Sequence, residues 1–379
     1  MLNPILNYLK SLFASKKGIG SDKTMKGLTK VDGLLQGLIN EKRVPGLSIT
    51  VFKDGKRFFE KGYGYADTGE KRRIVPKTTI FRIASVSKPI AATALAHMVA
   101  DGIIDLDTSF YKYVPYFPKK KWDFTIRHLA SHTAGIRKYK GKEFALNKPF
   151  SIKDSITLFK DDALLFEPGT GYEYTSFDWV LIALAMQEAS GVPFETYVYD
   201  TVLNPLEMNH TFTPEPEEVS NQILESNSST WVSVSSANKQ HLATSYTKIR
   251  LGFREAVPVH NFYKLAGGGY LSTTADIAKL GQAYLDGYPL NKKVLSEFLT
   301  SLFVNGKPTY YGLGWQVSQD KMGRSYYGHI GSSVGAYSNF FVYPKERMVF
   351  SILINCTDSK VQDILDEVVQ ELLGLQAVH

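Results

Sequence analysis

The sequence is poor in cysteine, with a single one, Cys356, among 379 residues. One thiol cannot form an internal disulfide framework, nor supply the several thiolates of a zinc or iron–sulfur site. Long apolar runs are also missing, because no stretch approaches the roughly 18 consecutive apolar residues of a membrane-spanning helix. With 44% hydrophobic and 21% charged residues, the composition excludes an intrinsically disordered chain and indicates a globular protein.

The charge excess is small. The 44 basic and 37 acidic residues give a net charge of +7. A positive net charge makes nucleic acid and a membrane surface two partners to consider. No helix-turn-helix, OB-fold or RNA-recognition signature accompanies the charge, so no nucleic-acid partner is expected. The three lysines at 119–121 are interpreted as a solvated surface loop.

The first 23 residues form an amphipathic, basic segment. Residues 1–30 contain six lysines and one acid, and apolar residues recur at helical spacing from Leu2 to Phe13. Three interpretations stay open: a helix packed on the domain, membrane-surface contact through residues 1–20, or a degenerate export signal. Polar residues interrupt the apolar run, so no clear signal peptide is present, although the pattern leans towards an exported, periplasmic or membrane-associated protein.

Strand-forming runs occur near both ends of the chain, and helical patterns lie between them. The predicted strands are residues 47–52, 57–65, 337–343 and 348–355, with a hairpin turn at Asp54 and Gly55. The predicted helices include residues 85–101, 179–189 and 359–374. A polar stretch over residues 214–262 is expected to contain a long excursion.

This order predicts an α/β (α+β) fold. Its antiparallel sheet is built from both chain ends and flanked by helices, with a mainly helical subdomain at about residues 102–262 inserted into a domain that spans residues 24–379. A cleft is expected at the seam between the two parts.

One segment combines a serine and a lysine at the start of a predicted helix. Ser85 and Lys88 are three residues apart, which places their side chains on the same helix face. A lysine whose pKa is lowered by burial can take the proton of a serine and make it a nucleophile. Only this pair joins an apolar run to a long buried helix, among the Ser-x-x-Lys patterns that start at Ser85, Ser109, Ser236, Ser245 and Ser318.

A tyrosine follows the loop-forming segment 167–171, just before a predicted helix. Tyr174 is therefore expected at an exposed turn. A phenol beside a lysine ammonium has its deprotonated form stabilised and can act as a general base. The alternative interpretation is a packing residue.

Residues 328–335 are rich in glycine and serine and come just before a predicted strand. Small side chains there allow a substrate backbone to lie against the strand edge. The stretch 331–335 also matches Gly-x-Ser-x-Gly, a nucleophile motif that needs a helix after it. Because a strand is predicted after it, that alternative is disfavoured.

Two histidines invite other roles. His132 invites a catalytic role, but the family resemblance described below implies a structural turn there. His128 and His132 are four residues apart, a spacing that could hold a metal ion, but no third ligand lies at a suitable spacing. No metal and no cofactor are expected.

Nine stretches, in order along most of the chain, resemble the serine beta-lactamase and penicillin-binding-protein-like family. The similar branch holds the class C enzymes, the family VIII esterases and the mitochondrial serine beta-lactamase-like protein. The stretches are residues 44–47, 81–88, 129–136, 166–169, 174–176, 205–208, 266–273, 311–315 and 328–331. The resemblance implies a beta-lactamase/transpeptidase-like fold.

The resemblance also implies roles for the site residues. Ser85 is acylated, Lys88 is its base partner, and Tyr174 carries a proton to the leaving group and later helps to activate water. The backbone N–H groups of Ser85 and Ser332 form the oxyanion hole.

Two motifs depart from the family pattern. Ser176 stands where asparagine is usual, which weakens a contact to a substrate amide. His329, Ile330 and Gly331 replace the Lys-Thr/Ser-Gly of true beta-lactamases, and a neutral histidine cannot replace the cation that binds the substrate carboxylate. The resemblance thus implies substrate contacts at Ser176, His329, Gly331 and Ser332, with poor or no beta-lactam hydrolysis.

Together these observations predict a serine hydrolase that acts through an acyl-enzyme on Ser85. Its expected partner is a small-molecule or peptide-like acyl substrate, cleaved at an ester or a peptide-like amide. If neutral His329 is required, activity is expected to fall as the pH decreases from 8 to 5. The alternative is a self-assembling or membrane-associated protein that uses the same scaffold for binding, as the basic first segment suggests.

Overall fold

The computed structural model describes residues 22–214, 239–287 and 291–375. The predicted membrane contact through residues 1–20 lies outside the described residues and stays a prediction. The same holds for residues 215–238, which form much of the predicted polar excursion. No helix among the described residues is both long enough and apolar enough to cross a membrane.

The chain divides into two compact units. One comprises residues 1–43 and 360–379, and its described part holds helices α1 (Asp22–Asn40) and α9 (Gln362–Gly374). These two helices pack against each other, and Lys30 forms ion pairs with Glu367 and Glu371 at 2.9 and 2.6 Å. The other unit, Val44–Ser359, contains every candidate site residue.

Within the second unit the described α-helices and strands follow in chain order. The helices are α2 (Ser87–Ala100), α3 (Ile126–Ala130), α4 (Ile152–Ser155), α5 (Ser176–Ser190), α6 (Phe194–Val198), α7 (Thr274–Leu285) and α8 (Lys292–Phe298). The strands are β1 (Gly46–Lys53), β2 (Lys56–Asp67), β3 (Arg72–Arg73), β4 (Phe81–Arg82), β5 (Tyr246–Ile249), β6 (Gly252–Glu255), β7 (Leu271–Ser272), β8 (Phe303–Val304), β9 (Lys307–Pro308), β10 (Gln316–Gln319), β11 (Ser325–Ser333), β12 (Ala336–Tyr343), β13 (Met348–Ile354) and β14 (Cys356–Thr357).

The main sheet has the strand order β10-β11-β12-β13-β1-β2-β3. The antiparallel pair β1–β13 joins the two chain ends, with Leu47 opposite Ile354 and Lys53 opposite Met348. The β1–β2 hairpin turns at Asp54 and Gly55, as predicted, because glycine adopts the positive φ of +75° without strain. The predicted α+β fold with a sheet built from both ends is confirmed.

Two buried helices, α2 and α5, position the site. Nearly every residue of α2 is buried, and so is the run from Phe177 to Met186 in α5. Apolar character on all sides of a helix indicates a position within the core rather than on its surface. Both helices begin beside the cavity described below, so their first turns carry polar groups into a largely apolar environment.

Two sequence expectations need correction or stay open. Residues 328–333 belong to strand β11 itself and do not merely precede a strand, since β11 pairs with β12 from Tyr327 to Ser333. The described part of residues 102–262 holds α3 to α6 and the β5–β6 hairpin. The boundaries of a separate helical subdomain there stay a prediction.

Candidate active site

Ser85 lies in a short 3₁₀ turn, Ala84–Val86, between β4 and helix α2. Ala84 adopts a φ of +47°, a left-handed conformation that is strained for a residue with a Cβ atom. The strand β11 passes directly behind this turn, because Gly331 lacks a side chain: a Cβ there would lie 2.9 Å from the Ser85 backbone nitrogen. Gly331 therefore supports the turn that carries Ser85 from behind, whereas the sequence analysis placed Gly331 in contact with substrate.

Lys88 lies in the first turn of α2 and is fully buried. Its Nζ is 3.1 Å from Ser85 Oγ and donates a hydrogen bond to the carbonyl oxygen of Gly267 at 2.6 Å. Burial lowers the pKa of Lys88 from 10.5 to about 7, opposed by the charge of Asp178. A large fraction of Lys88 is thus neutral near pH 7 and can accept the proton of Ser85.

Tyr174 completes the contacts of the serine. Its hydroxyl is 2.9 Å from Ser85 Oγ, and Lys88 Nζ lies 4.8 Å from its ring centre. The residue is partly buried rather than at an exposed turn, and burial raises the pKa of its phenol above the ordinary value. The sequence expectation of a stabilised phenolate is not met, because burial of Tyr174 disfavours the charged form of its phenol.

A cavity of about 390 Å³ opens beside these groups. Ser85, Tyr174, Ser176 and Ser332 line it. The backbone N–H of Ile330 donates to the side-chain oxygen of Gln316 at 3.0 Å, so it points away from β12. Because backbone groups along a strand alternate in direction with a period of two residues, the N–H of Ser332 also points away from β12.

His329 is buried behind the cavity wall, with 1% of its surface exposed. Its Nε2 accepts a hydrogen bond from Tyr311 at 2.9 Å, and its Nδ1 lies 2.6 Å from the carbonyl oxygen of Ile330. Burial and the charge of Lys88 lower its pKa to about 3. His329 is not among the residues that line the cavity, and its expected contact with substrate stays a prediction. Because its lowered pKa keeps the ring neutral between pH 8 and 5, the titration of His329 is not expected to lower activity in that range.

Local structure bears on three further interpretations of the sequence: a nucleophile elbow at residues 331–335, a metal pair at His128 and His132, and a solvated loop at residues 119–121. Residues 331–335 lead from β11 into β12, so the helix required by a nucleophile elbow is absent there. His128 caps helix α3, where its Nδ1 accepts a hydrogen bond from the Thr125 N–H at 3.2 Å. In the described part of the chain, no cluster of three or more metal-ligating side chains occurs. Lys119 and Lys121 pack over the rings of Tyr111 and Trp122.

Sequence reasoning missed a buried acid–base pair next to Tyr174. Asp178 Oδ2 lies 2.7 Å from His132 Nδ1, and both residues are fully buried. The His132 ring is 4.4 Å from the Tyr174 ring, and its carbonyl oxygen accepts the N–H of Glu173 at 3.0 Å. Burial raises the pKa of Asp178 and lowers that of His132. The pair holds the segment that carries Tyr174, and Asp178 favours the charged form of Lys88 when its own carboxyl group is ionised.

The Asp178→Asn variant is expected to move the acid limb of kcat/KM to lower pH by about one unit. The reason is that Lys88 loses the carboxylate that favours its protonated form. The limb is measured on 4-nitrophenyl butyrate between pH 5 and 9. Glu173→Gln is the matched control, since Glu173 also flanks Tyr174 but is partly exposed and pairs with Lys138. An unchanged midpoint in Asp178→Asn would show that the pair has a structural role alone.

A model of the Beta-lactamase family matches residues 31–374. The chain belongs to the Beta-lactamase family. The human mitochondrial serine beta-lactamase-like protein LACTB is 28% identical over 409 aligned residues, which cover 83% of this chain and 71% of LACTB. Family membership confirms the resemblance drawn from the nine sequence stretches.

Solved structures of other proteins superpose on most of the chain. The octameric penicillin-binding protein homologue from Pyrococcus abyssi has a TM-score of 0.76 at 25% identity and covers 92% of this chain and 77% of its own. The D-amino acid amidase from Ochrobactrum anthropi SV3, complexed with D-phenylalanine, has a TM-score of 0.75 at 21% identity. The match covers 92% of this chain and 99% of the amidase chain. The predicted beta-lactamase/transpeptidase-like fold is thereby confirmed.

Proposed function

We propose that this protein is a serine hydrolase that forms an acyl-enzyme on Ser85 and cleaves esters or peptide-like amides. The observation that carries the proposal is the convergence of two groups on one oxygen. Lys88 Nζ and the Tyr174 hydroxyl lie 3.1 and 2.9 Å from Ser85 Oγ, at the edge of a cavity large enough for a small acyl group. This is the arrangement that an activated nucleophile requires.

In the proposed acylation, Ser85 Oγ attacks the substrate carbonyl carbon while neutral Lys88 takes its proton. The negative charge on the carbonyl oxygen is held by the backbone N–H groups of Ser85 and Ser332. Tyr174 then gives its proton to the departing alkoxide or amine and regains one from Lys88. In deacylation a water molecule attacks the ester of Ser85, and the same groups move the proton in the opposite direction.

The segment His329–Gly331, which stands where true beta-lactamases have Lys-Thr/Ser-Gly, supports a preference against beta-lactams. With a pKa of about 3, His329 is neutral at every pH at which such an enzyme works, so it brings no cation to this wall. Ile330 supplies no hydroxyl. The cation and the hydroxyl with which beta-lactamases bind the substrate carboxylate are therefore both missing from this segment. We propose poor or no turnover of penicillins and cephalosporins.

Covalent labelling tests the proposal directly. The folded protein is treated with a fluorophosphonate probe and analysed by intact-mass spectrometry and peptide mapping. One adduct on the peptide that contains Ser85 is the expected result. Ser333→Ala is the control, because Ser333 lines the same cavity and its loss should leave labelling unchanged. Labelling at another serine, or none in a folded sample, would overturn the proposal.

A further inference from the structure

A second lysine lines the cavity that contains Ser85. Lys264 ends the short turn Phe262–Lys264, directly before the segment Leu265–Gly269 that supplies the carbonyl partner of Lys88. Lys264 is 7% exposed, and its Nζ donates a hydrogen bond to the carbonyl oxygen of Phe144 at 3.0 Å. An ammonium has three N–H donors, and the carbonyl oxygen of Phe144 accepts one of them. The other two can donate to a ligand.

The charge of Lys264 has no acidic partner among the described residues. A second cation, the partly buried Arg82, acts on Lys264 through its charge, and its guanidinium donates a hydrogen bond to the carbonyl oxygen of Val334 at 2.9 Å. Burial and the charge of Arg82 lower the pKa of Lys264 to about 8. A buried cation next to a second positive charge, with no acidic partner in the described part of the chain, is energetically unfavourable.

Another buried cation in the same unit shows the usual arrangement. Arg137, which is also 7% exposed, pairs with Glu143 and with Asp162, both at 2.6 Å. Depth of burial does not explain why Arg137 has acidic partners and Lys264 has none in the described part of the chain, because the two residues are equally buried. Unpaired, strongly perturbed cations in a cavity are more typical of ligand sites than of structural ion pairs.

Aromatic rings surround the ammonium. Lys264 Nζ lies 5.6 Å from the Tyr139 ring centre and 5.5 Å from that of Tyr263. Tyr139 and Phe144 also line the cavity. The cation is therefore recessed between apolar walls, where a charged hydrogen bond to a ligand is stronger than in water.

We propose that Lys264 binds a carboxylate carried by the acyl part of the substrate, so that the enzyme prefers acidic acyl groups. This inference rests on the proposed serine hydrolase function, since it concerns which acyl chain reaches Ser85. Lys264 and Ser85 line one cavity, which lets a single acyl chain touch both. Lys264 would supply, from another part of the cavity lining, the positive charge that the segment His329–Gly331 lacks.

Two matched substrates test the proposal: the mono-4-nitrophenyl ester of adipic acid, and the same ester with its free carboxylate methylated. The wild type is expected to show a kcat/KM about tenfold higher for the free acid. Lys264→Met should abolish that ratio, and Lys264→Arg should retain a preference for the acid. Lys138→Met is the control, because Lys138 lines the same cavity but is largely exposed and pairs with Glu173.

The pH profile gives a second readout that needs no variant. The titratable and charged groups that face Lys264 are Arg82, Tyr139 and Tyr263, with Lys138 on the same cavity. For the free acid, kcat/KM should rise through pH 7 with Lys88 and fall again above about pH 8 as Lys264 loses its proton. For the methyl ester, kcat/KM should rise through pH 7 in the same way and stay level above pH 8.

The outcomes separate the two proposals. If neither ester is hydrolysed and Ser85 is never labelled, the serine hydrolase function fails. If the methyl ester is hydrolysed but the wild type shows no preference for the acid, only the role of Lys264 is overturned. If Lys264→Met does not fold, the wild-type ratio, the pH profiles and Lys264→Arg still decide the question.

Discussion

The Ser85→Ala variant is expected to hydrolyse 4-nitrophenyl butyrate more slowly than the wild type by a factor on the order of 10⁴ or more in kcat/KM. Without Oγ no acyl-enzyme forms, and Lys88 and Tyr174 are left with no shared reacting atom. Initial rates across pH 6–9 measure the loss, after subtraction of uncatalysed hydrolysis. The remaining activity reflects the oxyanion hole and binding alone.

Ser333→Ala is the appropriate comparison for that experiment. It removes a hydroxyl from the same cavity without touching the serine turn. A Ser85→Ala protein that keeps more than about a tenth of wild-type activity would show that another group is the nucleophile.

Replacing Lys88 with methionine is expected to lower kcat/KM by about 10³-fold, the range of a lost general base, and at the same time to stabilise the fold. The folded-state pKa of Lys88 is about 7, well below its ordinary 10.5, so the native protein binds fewer protons than the unfolded chain between these values. The resulting penalty is fully present below pH 7 and disappears as the pH rises towards 10.5.

Lys88→Met removes that penalty. At pH 6 we expect its free energy of unfolding, measured in urea, to exceed that of the wild type by about 2 kcal/mol. The gain stays below the full penalty because the hydrogen bond to Gly267 is lost. The advantage should shrink between pH 7 and 10.

Lys88→Arg is the matched variant, since it keeps a buried charge but provides no base at neutral pH. It should be inactive without being stabilised. A Lys88→Met protein that is less stable than the wild type at pH 6 would contradict the burial argument, and one that keeps its activity would exclude Lys88 as the base.

Much of the site could be predicted because its central residues are close in sequence or lie in familiar motifs. Ser85 and Lys88 share one helical turn, so their contact follows from helix geometry alone. The strands near both ends were recognisable from a hairpin turn and from continuous apolar runs, which are typical of strands buried on both faces.

Other features depend on contacts that local patterns do not contain. His132 and Asp178 are 46 residues apart in sequence, and an acid in the first turn of a helix is explained well enough by the helix dipole. Strand β11 was missed because glycines depress strand propensity, although Gly331 is needed there for the close approach to Ser85. The direction of the His329 side chain depends on its bond to Tyr311, which only the folded chain reveals.

The pairing of β1 with β13 has a consequence for synthesis on the ribosome. Leu47 meets Ile354, so one edge of the β1–β2 hairpin has no partner until some three hundred further residues have been translated. During that interval the nascent chain exposes an apolar strand edge of the kind that other chains can pair with. The turn that carries Ser85 is translated long before strand β11, which supports it from behind, so the site can assemble only after β11 has left the ribosome.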